Sequence, residues 1–140
     1  MGLSMMEFFR GKKIFITGHT GFKGSWLCKM LINAGADVSG YSLLPEDKEN
    51  LFSISENEKY MTSNIGDIRD FDNLETVFND FNPEIVIHLA AQPLVRESYQ
   101  RPKYTYETNV MGTVNILECI RKSNSVKSVV NVTTDKVYKN

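Results

Sequence analysis

The chain has 140 residues, 41% of them hydrophobic, which is enough for one compact core. A formal net charge of -1 gives no electrostatic case for a nucleic-acid partner or an anionic membrane surface, and no apolar run approaches the ~20 residues that span a bilayer. The start lacks a secretory apolar stretch, Met6 stands where myristoylation after Gly2 needs Ser or Thr, and Cys28 and Cys119 are spaced for neither a disulfide framework nor a metal, so a reducing cytoplasm is the expected compartment.

In chain order, Ile14, Phe15 and Ile16 suit a parallel strand buried on both faces. The run ends in Gly18, Gly21 and Gly24. Gly18 allows a sharp turn, Gly21 lets backbone approach phosphates, and Gly24 lets the next helix sit close to the sheet. A pyrophosphate would lie at the amino end of that helix, where free N–H groups and the helix dipole favour an anion. The alternative is a tight turn with no ligand. Trp26, Leu27, Met30 and Leu31 recur at helical spacing, and Asn33-Ala-Gly35 supplies the stop. Asp37 to Leu43 reads as a second strand, 45–57 as a loop or short irregular helix, and Tyr60 to Ile65 as a third strand. Asp70 is placed to cap a helix whose Phe71, Leu74, Val77, Phe78 and Phe81 share one face, and Asn82-Pro83 ends it. Ile85 to Ala91 reads as a central strand broken by Pro93. A long helix is expected over about Tyr104 to Arg121, and a fifth strand over Ser128 to Thr133. Strand and helix alternate without an internal repeat. The fold class is therefore α/β: a Rossmann-type doubly wound parallel sheet, truncated after about the fifth strand, with ligands outside the strands' carboxyl ends. Residues 1–11 read as an amino-terminal extension and 12–140 as a single, incomplete dinucleotide-binding domain.

Five segments in order carry a family resemblance: Thr17-Gly-His-Thr-Gly-Phe-Lys-Gly24, Gly66-Asp-Ile-Arg-Asp70, His88-Leu-Ala-Ala91, Asn109-Val-Met-Gly-Thr113 and Val132-Thr-Thr-Asp-Lys136. Together they resemble the amino-terminal part of an extended short-chain dehydrogenase/reductase, the NAD-dependent epimerase and dehydratase family that modifies nucleotide sugars. Gly18-His-Thr-Gly-Phe-Lys-Gly-Ser-Trp26, His88-Leu-Ala-Ala-Gln-Pro-Leu-Val-Arg96 and Thr133-Thr-Asp-Lys136 resemble the branch that dehydrates CDP-glucose.

The resemblance implies NAD as cofactor and no metal. Gly18, His19, Gly21, Phe22, Lys23 and Gly24 would hold its phosphates, His19 and Lys23 as donors or cations unless they are solvated surface residues. Asp67 would accept from the adenine amine and the Ile68 N–H would reach a ring nitrogen; alternatively Asp67 is a loop cap. Leu89, Ala90 and Ala91 would lie along the cofactor's middle portion, as core packing or contact, and Thr108 matches a position near it. His88 reads as a hydrogen-bonded core histidine, Asn109 as a structural group and Arg96 as a surface residue. Gly40-Tyr-Ser42 has neither an acid for a ribose 2′-hydroxyl nor a nearby arginine for a 2′-phosphate, so the residues leave NADP open.

Thr134, Asp135 and Lys136 are the catalytic candidates. By resemblance, Thr134 helps orient the sugar 4-hydroxyl and Asp135 protonates the departing C6 hydroxyl. Lys136 stands where dTDP-glucose relatives carry the glutamate that handles the C5 proton, and a lysine serves as base only if its pKa is depressed from ~10.4. The alternative is a β-turn with exposed Asp and Lys. The family's Tyr-x-x-x-Lys pair, required on a helix beyond the fifth strand, has no counterpart there. Tyr99-Gln-Arg-Pro-Lys103 matches the spacing but precedes the long helix and contains Pro102. The 140 residues are thus expected to be an amino-terminal piece, inactive alone. The full-length protein is expected to take a nucleotide-sugar substrate, CDP-glucose, and to form a homodimer through the helix holding Asn109 to Arg121; the state of the piece stays open. Another nucleotide-sugar epimerase or dehydratase, or a non-catalytic dinucleotide-binding module, are the other readings.

Overall fold

The computed structural model describes residues 4–45 and 47–134. Five strands, β1 (Lys13–Thr17), β2 (Asp37–Ser42), β3 (Thr62–Ile65), β4 (Ile85–His88) and β5 (Ser128–Asn131), form one parallel sheet in the order β3-β2-β1-β4-β5. The order reverses between β1 and β4, the switch point at which open α/β sheets bind ligands. Register keeps the strand ends level there, with Thr17 of β1 opposite both Tyr41 of β2 and His88 of β4.

Among the described residues, seven α-helices flank the sheet: α1 (Met5–Phe9), α2 (Phe22–Asn33), α3 (Leu51–Ser55), α4 (Phe71–Phe81), α5 (Val95–Gln100), α6 (Pro102–Tyr106) and α7 (Gly112–Lys122). Alternation along the strands splits the core between the two faces of the sheet. Ile14, Ile16, Ile85 and Ile87 meet Cys28 and Leu31 of α2, whereas Phe15 and Val86 meet Leu74 and Phe78 of α4 and Ile116 and Cys119 of α7. Phe15 and Phe78 pack edge to face at 5.2 Å. Burial of the two thiols pushes Cys28 up to about 12 and Cys119 up to about 11, so both are inert core groups on opposite faces.

Helix α4 forms as its pattern predicts: the Asp70 carboxylate accepts the Asn73 N–H at 3.2 Å, and Asn82 leaves the helix at φ 54°. Helix α2 stops as expected at Gly35, φ 79°, but its inward face differs. Gly24, Ser25, Cys28 and Leu31 are buried, while Trp26 is 54% and Met30 50% exposed. Close contact with the β1 turn demands small residues on that stripe, which puts the larger apolar side chains outside. The segment after β2 holds α3 and a 3₁₀ turn, Asn57–Lys59. The expected extension forms α1, whose Ser4 and Glu7 make a reciprocal capping box and whose Phe9 packs on the α2-side core.

The expected long helix forms as one helical run from Pro102 to Lys122 that carries a π-helical turn. Arg101 (φ −131°, ψ 62°) separates α5 from α6, with Pro102 opening α6, and a π-helical turn, Glu107–Met111, joins α6 to α7. Tyr99 and Lys103 therefore lie on different helices, and Tyr99 is exposed, so they form no helical pair. Strand β5 is exposed along its whole length.

The burial pattern predicts that Phe78→Ala lowers stability by about 3–5 kcal/mol in urea denaturation, whereas Trp26→Ala costs about 1 kcal/mol or less. Equal losses would contradict the placement of α2.

Candidate functional site

A cleft of about 830 Å³ opens at the carboxyl ends of the strands. Its floor begins where Thr17 passes into Gly18, whose φ of 79° excludes most side chains. A Cβ on Gly18 would lie 2.8 Å from the Ala90 nitrogen, and one on Gly24 would strike the Gly18 carbonyl oxygen. Gly21 caps α2 through its backbone alone, with no side-chain oxygen on the first-turn N–H groups. Phe22, Lys23 and Gly24 line the cleft at that end, and Lys23 is exposed. Open N–H groups, a helix dipole and a lysine make this end suited to phosphate oxygens.

His19 corrects the expectation of a donor or cation at that place. Its side chain is fully buried and is absent from the cleft lining, packed edge-on to Phe52 at 5.2 Å and bonded through Nε2 to Ser63 Oγ at 2.7 Å. A Cβ on Gly40 would strike the ring, so the glycine inside β2 makes room for it. Burial pushes the imidazole down to about 4, leaving it neutral at pH 7.

His88 is the core histidine that its apolar strand implies. Thr17 Oγ1 accepts the N–H groups of Leu89 (3.1 Å) and Ala90 (3.2 Å), so its own hydrogen is given to His88 Nδ1 at 2.6 Å. The imidazole proton is thereby placed on Nε2, which donates to Thr113 Oγ1 at 3.1 Å; Thr113 in turn donates to the Asn109 carbonyl at 2.7 Å. Burial holds His88 at about 4. This network fixes Leu89 and Ala90, which line the cleft with Ala91. Asn109 is the structural group expected: its Oδ1 accepts the Gln92 N–H at 2.7 Å and its Nδ2 donates to the Gln92 carbonyl at 3.0 Å. The same π-helical turn carries Thr108 to the cleft wall, where its buried Oγ1 has no hydrogen-bond partner among the described residues. A buried hydroxyl left unpaired beside a cleft is suited to a ligand oxygen.

Asp67 and Ile68 line the far wall. Asp67 Oδ1 accepts the Arg69 N–H at 2.9 Å, the loop-cap contact, and the Arg69 guanidinium beside it holds the carboxyl below the usual range. At the end of β2, Thr20 Oγ1 donates to the Leu43 carbonyl at 2.9 Å and lies 2.9 Å from Ser42 Oγ; neither an acid nor an arginine stands on Ser42, Leu43 or Leu44. Thr133 lines the cleft immediately before Thr134, whereas Asp135 and Lys136 lie outside the described residues. Arg96 is exposed and away from the lining. Sequence reasoning missed Tyr41, Leu44, Glu97, Arg101 and Tyr104, which also line the cleft. The apolar pair following β2 and the proline opening α6 were the signals available. No cluster of metal-binding side chains stands among the described residues, and no helix among them is long and apolar enough to cross a membrane.

The backbone contact predicts that Gly24→Ala lowers the melting temperature by several degrees and abolishes any dinucleotide binding; wild-type behaviour in both would contradict it. The chain has two histidines. By NMR neither imidazole is expected to titrate near 6.5, both remaining neutral until about pH 4. Since the unfolded state takes up these protons first, the stability they contribute is complete above about pH 6.5 and is lost as pH falls toward 4. A midpoint near 6.5 for either ring would overturn this.

The GDP-mannose 4,6 dehydratase family model matches residues 15–139. The chain is 53% identical to CDP-glucose 4,6-dehydratase of Salmonella typhimurium over 134 residues, 96% of this chain and 37% of that protein. It is 32% identical to CDP-paratose 2-epimerase of Salmonella typhi, over 90% of this chain and 38% of the relative. Among solved structures, UDP-glucose 4-epimerase of Thermotoga maritima with UDP-glucose superposes at a TM-score of 0.77 and 32% identity, covering 87% of this chain and 38% of that one. The Thermus thermophilus UDP-glucose 4-epimerase complex with NAD superposes at 0.72 and 32% identity, covering 83% and 36%. The chain spans under two fifths of the length of each of these proteins. With a family match running through nearly all of its sheet and cleft, the chain belongs to the GDP-mannose 4,6 dehydratase family of nucleotide-sugar dehydratases and epimerases.

Proposed function

We propose that these residues bind NAD, and that the protein at its relatives' full length dehydrates CDP-glucose to CDP-4-keto-6-deoxyglucose. The observation that carries the cofactor reading is the backbone cradle at Gly18, Gly21 and Gly24, with no room for a Cβ at Gly24 and no side-chain cap hydrogen bond at the amino end of α2. The N–H groups of the cradle bind pyrophosphate oxygens, and Lys23 adds a cation. Leu89, Ala90 and Ala91 border the middle of the cofactor, the Asp67 carboxylate accepts from the adenine amine beside Ile68, and Thr108 Oγ1 bonds a cofactor oxygen. NAD rather than NADP is favoured by the similarity to the Thermus thermophilus UDP-glucose 4-epimerase, whose structure is a complex with NAD.

NAD, held by the cradle, would supply a hydride acceptor for C4 of the sugar and a donor for C6 once water has been lost across C5 and C6. The chain's part is to orient and to move protons: Thr134 orients the 4-hydroxyl, Asp135 protonates the departing C6 hydroxyl, and Lys136 stands where the C5 proton is handled. Dehydration of CDP-glucose is favoured over epimerisation by the 53% identity to the Salmonella dehydratase. A homodimer is proposed through the π-helical turn and α7, where Val110, Val114 and Leu117 are exposed.

Joining this chain to the remainder of the Salmonella dehydratase gives the test. The chimera is expected to form the 4-keto sugar from CDP-glucose and not from UDP-glucose, and Asp135→Asn to lower that rate by about 100-fold or more with NAD affinity retained. NAD binding without dehydration would make the chain a binding module; failure to bind NAD would end both proposals.

A further inference from the structure

Arg69 lies outside the cleft lining, yet its side chain grips Asp67, which does line it. Its Nε lies 3.0 Å from both oxygens of Asp67 and its Nη2 lies 2.6 Å from Oδ2. Nη1 reaches Glu107 of the π-helical turn at 3.4 Å. The guanidinium lies over the Tyr104 ring at 4.8 Å, and Arg101, itself paired with Glu97 at 2.9 Å, lies over the same ring at 4.4 Å. An ordinary surface ion pair adds little, because two long side chains must be held in one geometry. Here the fork and the stacking supply that geometry.

The loop bearing Asp67 is fixed from behind as well. The Tyr41 hydroxyl donates to the Asp67 carbonyl at 3.1 Å and Asn115 Nδ2 to the Ile68 carbonyl at 2.9 Å. A Cβ on Gly112 would lie 2.7 Å from Ile68 Cγ2, so α7 is seated directly against the loop. These contacts immobilise the backbone; among the described residues the carboxylate itself is held by Arg69, through its guanidinium and its backbone N–H.

We propose that Arg69 is a positioning residue: by holding the Asp67 carboxylate in one orientation as an acceptor, it makes the cleft select a 6-aminopurine dinucleotide over its 6-oxo counterpart. The inference rests on the proposal that Asp67 faces the adenine of bound NAD. A 6-amino group donates to the fixed carboxylate, whereas a 6-oxo group presents a second acceptor to it. The guanidinium, with its Nε and Nη2 on Asp67 and its Nη1 on Glu107, is turned toward the acids rather than toward the incoming base.

Calorimetric titration of the chain with NAD and with nicotinamide hypoxanthine dinucleotide tests this. The wild type is expected to prefer NAD by about tenfold or more. Arg69→Lys keeps the charge but not the fork, and Arg69→Gln removes both; each is expected to weaken NAD to within about threefold of the hypoxanthine dinucleotide, whose own affinity stays unchanged. Asp67→Asn should lose the same preference, and the Asp67→Asn/Arg69→Lys pair no more than either alone. Thermal melts establish that each variant is folded. Equal weakening of both ligands, or an unchanged preference in the Arg69 variants, would overturn the inference. Binding of both ligands equally by the wild type would overturn it while leaving the dinucleotide reading intact, and binding of neither would end both.

Discussion

Between Gly18 and Gly24 two stretches of backbone touch, and the geometry of the cleft follows from that contact. The turn leaving β1 carries its Gly18 carbonyl to where a side chain on Gly24 would stand, while the α-carbon of Gly18 faces the backbone leaving β4 at Ala90. One approach therefore fixes the start of α2 and the ends of the two strands flanking the switch point. Glycine at helix positions costs about 1 kcal/mol relative to alanine. Ser25, next to Gly24, keeps its buried hydroxyl satisfied by donating to the Gly21 carbonyl at 2.7 Å. The contact also dictates the composition of the inward face of α2.

A second constraint is a chain of hydrogen bonds running from β1 through β4 to the helices: Thr17, His88, Thr113 and Asn109, then the backbone of Gln92. Each hydroxyl both accepts and donates, which fixes one tautomer on His88 and leaves the cleft-facing backbone of Leu89 and Ala90 satisfied. A protonated His88 would have no acceptor for its Nδ1 hydrogen without releasing those two N–H groups. The chain ends at the π-helical turn that also presents Thr108, so the strand end and the helical wall are held by one connected set of polar groups. Such a set is stable only when every member is paired. The unpaired Thr108 hydroxyl at its margin is the one that borders the cleft.

The sheet and the glycine turn leaving β1 were legible in the sequence because each left a periodic or steric signature. Continuous apolar runs around Phe15 and Val86 identify strands covered on both faces, the Asp70 cap and the apolar face from Phe71 to Phe81 identify α4, and the spaced glycines identify the turn into α2. Three features were not legible. Trp26 and Met30 have helical spacing but point outward, because periodicity gives a face without saying which way it turns. His19 follows a glycine in a phosphate-type loop, yet its ring enters the space left by Gly40, a contact between residues far apart in the chain. The break at Arg101 and the π-helical turn leave no hydrophobic signature, since α5 and α6 bury no residue fully. The place of Asp67 and Ile68 at the cleft was expected only through family resemblance, and the grip of Arg69 on Asp67 was visible only in three dimensions.

The measurement that bears most directly on the central claim is an amide-resolved NMR titration of the ¹⁵N-labelled chain with NAD. The amides of Gly21 to Gly24, Ile68, Leu89 to Ala91 and Thr108 are expected to move together along a single binding isotherm, while those of α1 stay in place. Absence of any shift, or shifts confined to the exposed face around Trp26 and Ile54, would contradict a dinucleotide cradle at the β1 turn.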